Sequence, residues 1–322
     1  MQAWQIQDDH TLKLAPTGAL EIGPDQVRVQ VRAVGVNRAD IIQVKGLYPA
    51  PPGYDNSIPG LEYAGVVAAV GGKVMNRKVG DRVMGLIPGG AYAEYLVTHE
   101  RETLMLPDAL DFATGATLPE AFLTAYRALF LEAGLQPGQW CLIRPATAGV
   151  GLAATQLANA LGARPIGSSR DEANLATARE MGLAGTVIEN ETLADQLLGL
   201  TDGEGVAVIM DMVGPQWGPL LQGLRVEGKL VLVGVLGGVK TELDLRAVLQ
   251  RRQSLTAMTM RSQPIEKRIT MATLFNDRLA PLFANGRLQP LPLKRFAFSD
   301  APEAHRHMVE DNFSGKRVLV IE

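Results

Sequence analysis

Six small residues, Ala146-Thr147-Ala148-Gly149-Val150-Gly151, carry the clearest chemistry in this sequence, and that chemistry is phosphate binding. They follow a short apolar run, Trp140 to Ile143, and precede residues at helical spacing that end at Gly162. Backbone N–H groups at a helix N-terminus carry partial positive charge. They receive a pyrophosphate where no side chain blocks its approach. Ala146, Ala148, Gly149 and Gly151 keep that approach open. The strict pattern G-x-G-x-x-G is not met, because Ala146 and Ala148 stand at its first two glycines. Tight packing of a helix on a strand would also select small residues. The complete order of strand, turn, helix and a second strand at Arg164–Gly167 favours a dinucleotide.

The end of that second strand bears on which dinucleotide. A site for NADH wants Asp or Glu about 20 residues after the turn, to accept from the ribose 2′-hydroxyl. Ser168 stands there, followed by Ser169 and Arg170. Two hydroxyls and a guanidinium suit a 2′-phosphate, so the expected cofactor is NADPH. Ser169-Arg170-Asp171-Glu172 also reads as a capping box for a helix through Met181. Asp171 would reach a ribose if the strand ended later.

The elements that must position these groups alternate. Strands are expected at 140–143, 164–167, 186–188, 206–210, 229–234 and 254–258, with helices between them, which predicts an α/β, doubly wound, parallel six-stranded sheet. Residues 1–115 read instead as mostly β. Val27, Val29 and Val31 alternate with polar residues. Further strands are expected at 64–70, 83–86 and 89–97, and a proline-rich loop runs from Tyr48 to Pro59. A helix is expected over 118–131. After Pro264 the alternation stops. One long helix over 265–284, a strand at 293–298, a helix capped by Ser299 and a closing strand at 316–321 follow. This tail is expected to return to the first domain.

Composition bounds the function. The chain of 322 residues is long enough for two cores. A net charge of −3 gives no basic excess for nucleic acid. No apolar run approaches the roughly 18 residues of a membrane span, and a cytoplasmic protein is expected. Cys141 is the only cysteine and reads as a small buried hydrophobe.

The whole chain resembles the medium-chain dehydrogenase/reductase superfamily. Within it, the chain is similar to the zinc-free quinone oxidoreductases of the zeta-crystallin and p53-inducible types. The residues that carry this are Gly35-Val36-Asn37-Arg38-Ala39-Asp40, Gly46 to Pro52, Pro59-Gly60-Leu61-Glu62, Leu86 to Gly90, Pro119-Glu120-Ala121, Thr124-Ala125-Tyr126, Gly149-Val150-Gly151, Pro281-Leu282-Phe283 and Ala304 to Met308. The resemblance implies a GroES-like catalytic domain at 1–122, a Rossmann domain at 123–262, and a return to the catalytic domain at 263–322.

It also implies roles. Zinc-dependent members have a Cys ligand where this chain has Asn37, and a His where it has Leu61. The structural zinc lobe with four cysteines is absent. Tetrahedral zinc needs Cys, His or carboxylate ligands in number, and His10, His99, His305 and His307 are not grouped to replace them. Without a Lewis acid the acceptor must already be electrophilic: a quinone, or a C=C conjugated to a carbonyl. Hydride transfer from nicotinamide leaves a developing oxyanion that wants a donor. Tyr48 is the first candidate, since related enoyl-thioester reductases carry a tyrosine there. Packing on the prolines of its own loop is the competing reading. Asn37 is the second candidate, although Asn37 with Asp40 also makes an ordinary N-cap for a helix through Val44. Thr124 and Tyr126 match a turn that lies beside nicotinamide in the family. Val235 and Gly237, after the fifth strand, are expected to hold the carboxamide with backbone groups, joining Ala148, Gly149, Val150, Gly151, Ser168, Ser169 and Arg170 in the cofactor site.

Some positions depart from the family. Asn190 stands where many relatives place a tyrosine on the 2′-phosphate. Arg144 replaces a frequent His, and is expected either to help bind pyrophosphate or to point to solvent. Two other functions stay open: an enoyl-thioester reductase acting on acyl-CoA or acyl carrier protein, and a non-catalytic NADPH-binding protein. An edge strand near 254–260 is expected to pair with its copy in a homodimer.

Overall fold

Val27, Val29 and Val31 are buried and Arg28, Gln30 and Arg32 half-buried, so the alternation in the sequence is a strand with one face on a core. From Ala33 to Val36 both faces are buried, and the strand carries the chain into the interior. The computed structural model describes residues 1–322. The first seven strands are β1 (Gln2–Ile6), β2 (Leu12–Pro16), β3 (Gln26–Val36), β4 (Glu62–Val70), β5 (Arg82–Leu86), β6 (Tyr95–His99) and β7 (Thr103–Met105). Six more follow: β8 (Trp140–Arg144), β9 (Arg164–Ser169), β10 (Gly185–Ile188), β11 (Val206–Asp211), β12 (Leu224–Leu232) and β13 (Ser254–Ala257). The last two are β14 (Leu293–Ala297) and β15 (Lys316–Val320).

The chain forms two units. The first comprises Met1–Glu120, Met260–Ala284 and Pro290–Glu322. Its main sheet runs β14-β15-β3-β4-β5-β7, with β6 also pairing β3. Val29, Val34, Tyr63, Val83, Leu96 and Leu319 belong to its core. The register sets Gly35 of β3 opposite Glu62 of β4, and Val36 opposite Arg317 of β15. Those pairings bring Asn37, Glu62 and Lys316 to one place. Gly35 is required there: a Cβ would lie 2.3 Å from Glu62 Oε1 and 2.3 Å from the carbonyl of Ala116.

The second unit comprises Ala121–Thr259 and Asn285–Gln289. Its six strands are all parallel, in the order β10-β9-β8-β11-β12-β13, which is the doubly wound arrangement. Leu142, Ile166, Val187, Ile209 and Leu230 are in its core. The helix Gly149–Ala160 follows β8 and stops before Gly162, whose φ of +85° suits the chain reversal. No helix is long and apolar enough to cross a membrane.

Several local expectations need correction. The strand expected from Gly89 starts only at Tyr95; Tyr92 and Glu94 bond instead to Trp4 and Gln2 around β1. The cap after β9 is Asp171, which accepts from the Ala173 N–H, while the Ser169 hydroxyl accepts from the Asp171 N–H. Ser299 lies within a 3-10 turn, Phe298–Asp300, and does not cap the following helix. The long helix after Pro264 has a π-turn at Phe275–Leu279.

Candidate active site

Asn37 ends β3 and opens the helix Arg38–Val44. Its backbone N–H donates to Asp40 Oδ2 at 2.7 Å, as the spacing of the two residues predicts. Its side chain is fully engaged. Asn37 Nδ2 donates to Glu62 Oε1 (2.9 Å) and to the Gly35 carbonyl (3.3 Å), and its Oδ1 accepts from Lys316 Nζ (2.5 Å). Lys316 Nζ also meets Glu62 Oε1 at 2.6 Å. The other carboxylate oxygen of Glu62 accepts from the Glu120 N–H at 2.9 Å. This buried amide–carboxylate–ammonium cluster leaves Asn37 without a spare N–H for a substrate oxyanion.

Beside it, Asp40 is fully buried and its Oδ1 has no hydrogen-bond partner. Burial pushes its carboxyl up to about 7, against the bond from Asn37 and the charge of Lys316. The Tyr92 hydroxyl links Asp40 Oδ2 (3.4 Å) to His305 Nε2 (2.9 Å). Burial holds His305 down to about 4, so it is neutral at physiological pH.

Tyr48 is half-buried in the loop after the Arg38–Val44 helix. Burial and the Glu120 carboxylate raise its phenol, while the Arg261 guanidinium, 5.0 Å from the ring centroid, opposes them. The phenol makes no hydrogen bond within the protein, so its O–H is available to a ligand. Sequence reasoning missed Lys316, Glu62 as its partner, and Arg261. A basic residue beside an apolar strand reads as a solvated end, and only the sheet register shows otherwise.

In the second unit, Thr147 to Val150 are half-buried, so the turn after β8 is accessible. A Cβ on Gly151 would lie 2.3 Å from the Pro145 carbonyl, which is why the helix enters so close to the strand. Arg144 corrects both expectations for it. It is 2% exposed, and its guanidinium bonds to Glu189 Oε2 (3.1 Å), Asp211 Oδ1 (3.2 Å) and the Pro215 carbonyl (3.1 Å). The fully buried Asp211 and the half-buried Glu189 consume its charge. Ser168 is buried and donates to Glu189 Oε1 at 2.8 Å, and Ser169 is buried too. Arg170 is exposed and has no ion-pair partner. Thr124 is buried, and Tyr126 packs on Phe130 with ring centroids 5.1 Å apart. Val235 and Gly237 lie in an exposed loop after β12. The Gly237 N–H is already bonded to the Val213 carbonyl. The residues at the turn fit a dinucleotide phosphate, with Arg170 rather than Ser168 free to reach a further one.

Known proteins match this chain in sequence and fold. Residues 23–108 match the family described as "Alcohol dehydrogenase GroES-like domain", and residues 149–276 match "Zinc-binding dehydrogenase". A quinone oxidoreductase of Pseudomonas aeruginosa is 36% identical over 307 residues, covering 93% of this chain and 92% of that protein. The chain belongs to the quinone oxidoreductase family. It is therefore an oxidoreductase of the medium-chain dehydrogenase/reductase superfamily. Among solved structures, an Escherichia coli quinone oxidoreductase complexed with NADPH superposes with a TM-score of 0.87 at 26% identity, covering 100% of both chains. CurK enoyl reductase superposes with a TM-score of 0.88 at 26% identity, covering 100% of this chain and 99% of that one.

One of these families is described as zinc-binding, and the residues here do not fit that metal. At the positions of interest stand a carboxamide, the apolar Leu61 and a carboxylate already paired with an ammonium. No three His, Cys, Asp or Glu side chains are grouped to hold a metal ion.

Proposed function

We propose that this oxidoreductase is a metal-independent, NADPH-dependent reductase of quinones. The observation that carries the reading is the Asn37–Glu62–Lys316 cluster. An ammonium, which offers no empty orbital to a carbonyl, is held between Asn37 and Glu62. An acceptor reduced there has to be electrophilic already, as a quinone is. NADPH supplies the hydride when bound. The identity of the P. aeruginosa relative supports the acceptor class, and the complex of the E. coli protein with NADPH supports the cofactor.

This chain's own groups do the rest. The backbone at Ala148–Gly151 binds pyrophosphate, and the exposed Arg170 meets the 2′-phosphate. The Tyr48 phenol donates a hydrogen bond, then a proton, to the oxyanion that forms when hydride adds to the quinone. The reaction is quinone plus NADPH plus one proton giving hydroquinone and NADP+, and the phenolate regains its proton from solvent. Asn37 holds Glu62 and Lys316 and does not itself touch the acceptor.

The second reading is an enoyl-thioester reductase, favoured by the fold shared with CurK enoyl reductase. Oxidation of NADPH with 1,2-naphthoquinone and with crotonyl-CoA, with NADH beside it, separates the two. The quinone reading expects turnover with naphthoquinone and NADPH. Turnover confined to crotonyl-CoA would replace it with the second.

A further inference from the structure

We propose that Arg261 is a positioning residue for the reaction, acting through Tyr48. This rests on the reading of Tyr48 as the proton donor. Arg261 is 4% exposed, so it does not present itself to a substrate. Its guanidinium gathers three separate segments. Nη1 donates to the Tyr48 carbonyl (2.6 Å), Nε to the Pro88 carbonyl (2.5 Å), and Nη2 to Gln43 Oε1 (2.6 Å). Gln43 lies on the Arg38–Val44 helix, and Tyr48 and Pro88 lie in loops without regular structure. Gly89 packs close to the group, where a Cβ would approach Nη2 to 3.3 Å.

The fork does two things to Tyr48. It ties down the backbone of a loop residue that has no sheet or helix to hold it, so the phenol is presented from a fixed place. It also sets a cation 5.0 Å from the ring centroid, where it favours the phenolate left after proton transfer. A planar group with donors on three nitrogens meets three acceptors at once. An ammonium keeps the charge and loses that geometry.

The test measures kcat with NADPH and 1,2-naphthoquinone, and Kd for NADPH, in wild type, Arg261→Gln, Arg261→Lys, Tyr48→Phe and the double variant Tyr48→Phe/Arg261→Gln. Arg261→Gln should lower kcat by about 10²-fold while Kd for NADPH stays within about twofold. Arg261→Lys should recover about tenfold of that loss through its charge. In the Tyr48→Phe background, Arg261→Gln should cost less than about threefold, because the group it serves is gone. Losses that multiply in the double variant would overturn the proposal and leave Tyr48 standing. So would an unchanged kcat in Arg261→Gln. A Tyr48→Phe enzyme with full activity would overturn the donor reading and this inference with it. Should Arg261→Gln not fold, Arg261→Lys with and without Tyr48→Phe carries the same comparison.

Discussion

Asp40 and His305 are a buried acid and a buried base joined through Tyr92, and their protonation opposes. The Asp40 carboxyl titrates at about 7 in the folded protein and at roughly 4 in the unfolded chain. Between those values the folded state holds the extra proton, so this group makes stability fall as pH rises. His305 titrates at about 4 when folded and at roughly 6.5 when unfolded. There the unfolded chain holds the extra proton, and stability rises with pH. The two slopes cancel over much of the range from about 4 to 6.5. Asp40→Asn should therefore gain on wild type as pH rises from about 4 to about 7. His305→Gln should gain on wild type as pH falls from about 6.5 to about 4. Urea midpoints across that range check both, and a difference from wild type that ignores pH would contradict the assignment. Asp40 was legible as the partner of Asn37 because N-cap spacing is local. Lys316 and Arg261 were not, because their partners lie far away in the chain and are set by sheet register and loop packing.

At the scale of elements, adjacent strands assemble charged clusters from residues that look unrelated. Arg144 and Asp211 are register partners at the C-terminal ends of β8 and β11, and Glu189 just follows β10. Removing the arginine leaves the fully buried Asp211 carboxylate and the half-buried Glu189 without their cation. Arg144→Gln should destabilise the protein by about 3–5 kcal/mol. Chemical denaturation measures this, and a loss under about 1 kcal/mol would mean that water already reaches the carboxylates. The six parallel strands were legible because short segments with apolar residues alternate with helical stretches. The Gly89–Glu94 segment was misread because small and aromatic residues suit a strand equally well, while its actual bonds go to β1, to Ile58–Gly60 and to Val31. The cap after β9 was misread because Ser169 and Asp171 are both good caps, and Ser169 turns its hydroxyl to the Asp171 N–H.

At the scale of the molecule, β13 pairs only with β12, and so leaves a sheet edge open. Leu245 and Leu249, on the helix before it, are 72% and 78% exposed. An open edge and exposed apolar side chains are each sites for self-association, and we propose a homodimer through them. Light scattering should return about twice 34.5 kDa, and Leu249→Glu should move the mass toward the monomer. A wild-type mass near 34.5 kDa would reject the dimer. Family membership was legible end to end, since its motifs are spread from Gly35 to Met308. The acceptor was not, because it is chosen by which donors remain free once the buried network has taken its share. Asn37 is spent in that network and the phenol of Tyr48 is not.

The most direct test is the rate of NADPH oxidation by 1,2-naphthoquinone in protein stripped with a chelator, with and without added zinc, for wild type and Tyr48→Phe. Metal-independent reduction through the Tyr48 phenol predicts full turnover without metal, no response to zinc, and a loss of about 10²-fold or more in Tyr48→Phe. Turnover that disappears on chelation and returns with zinc would contradict it.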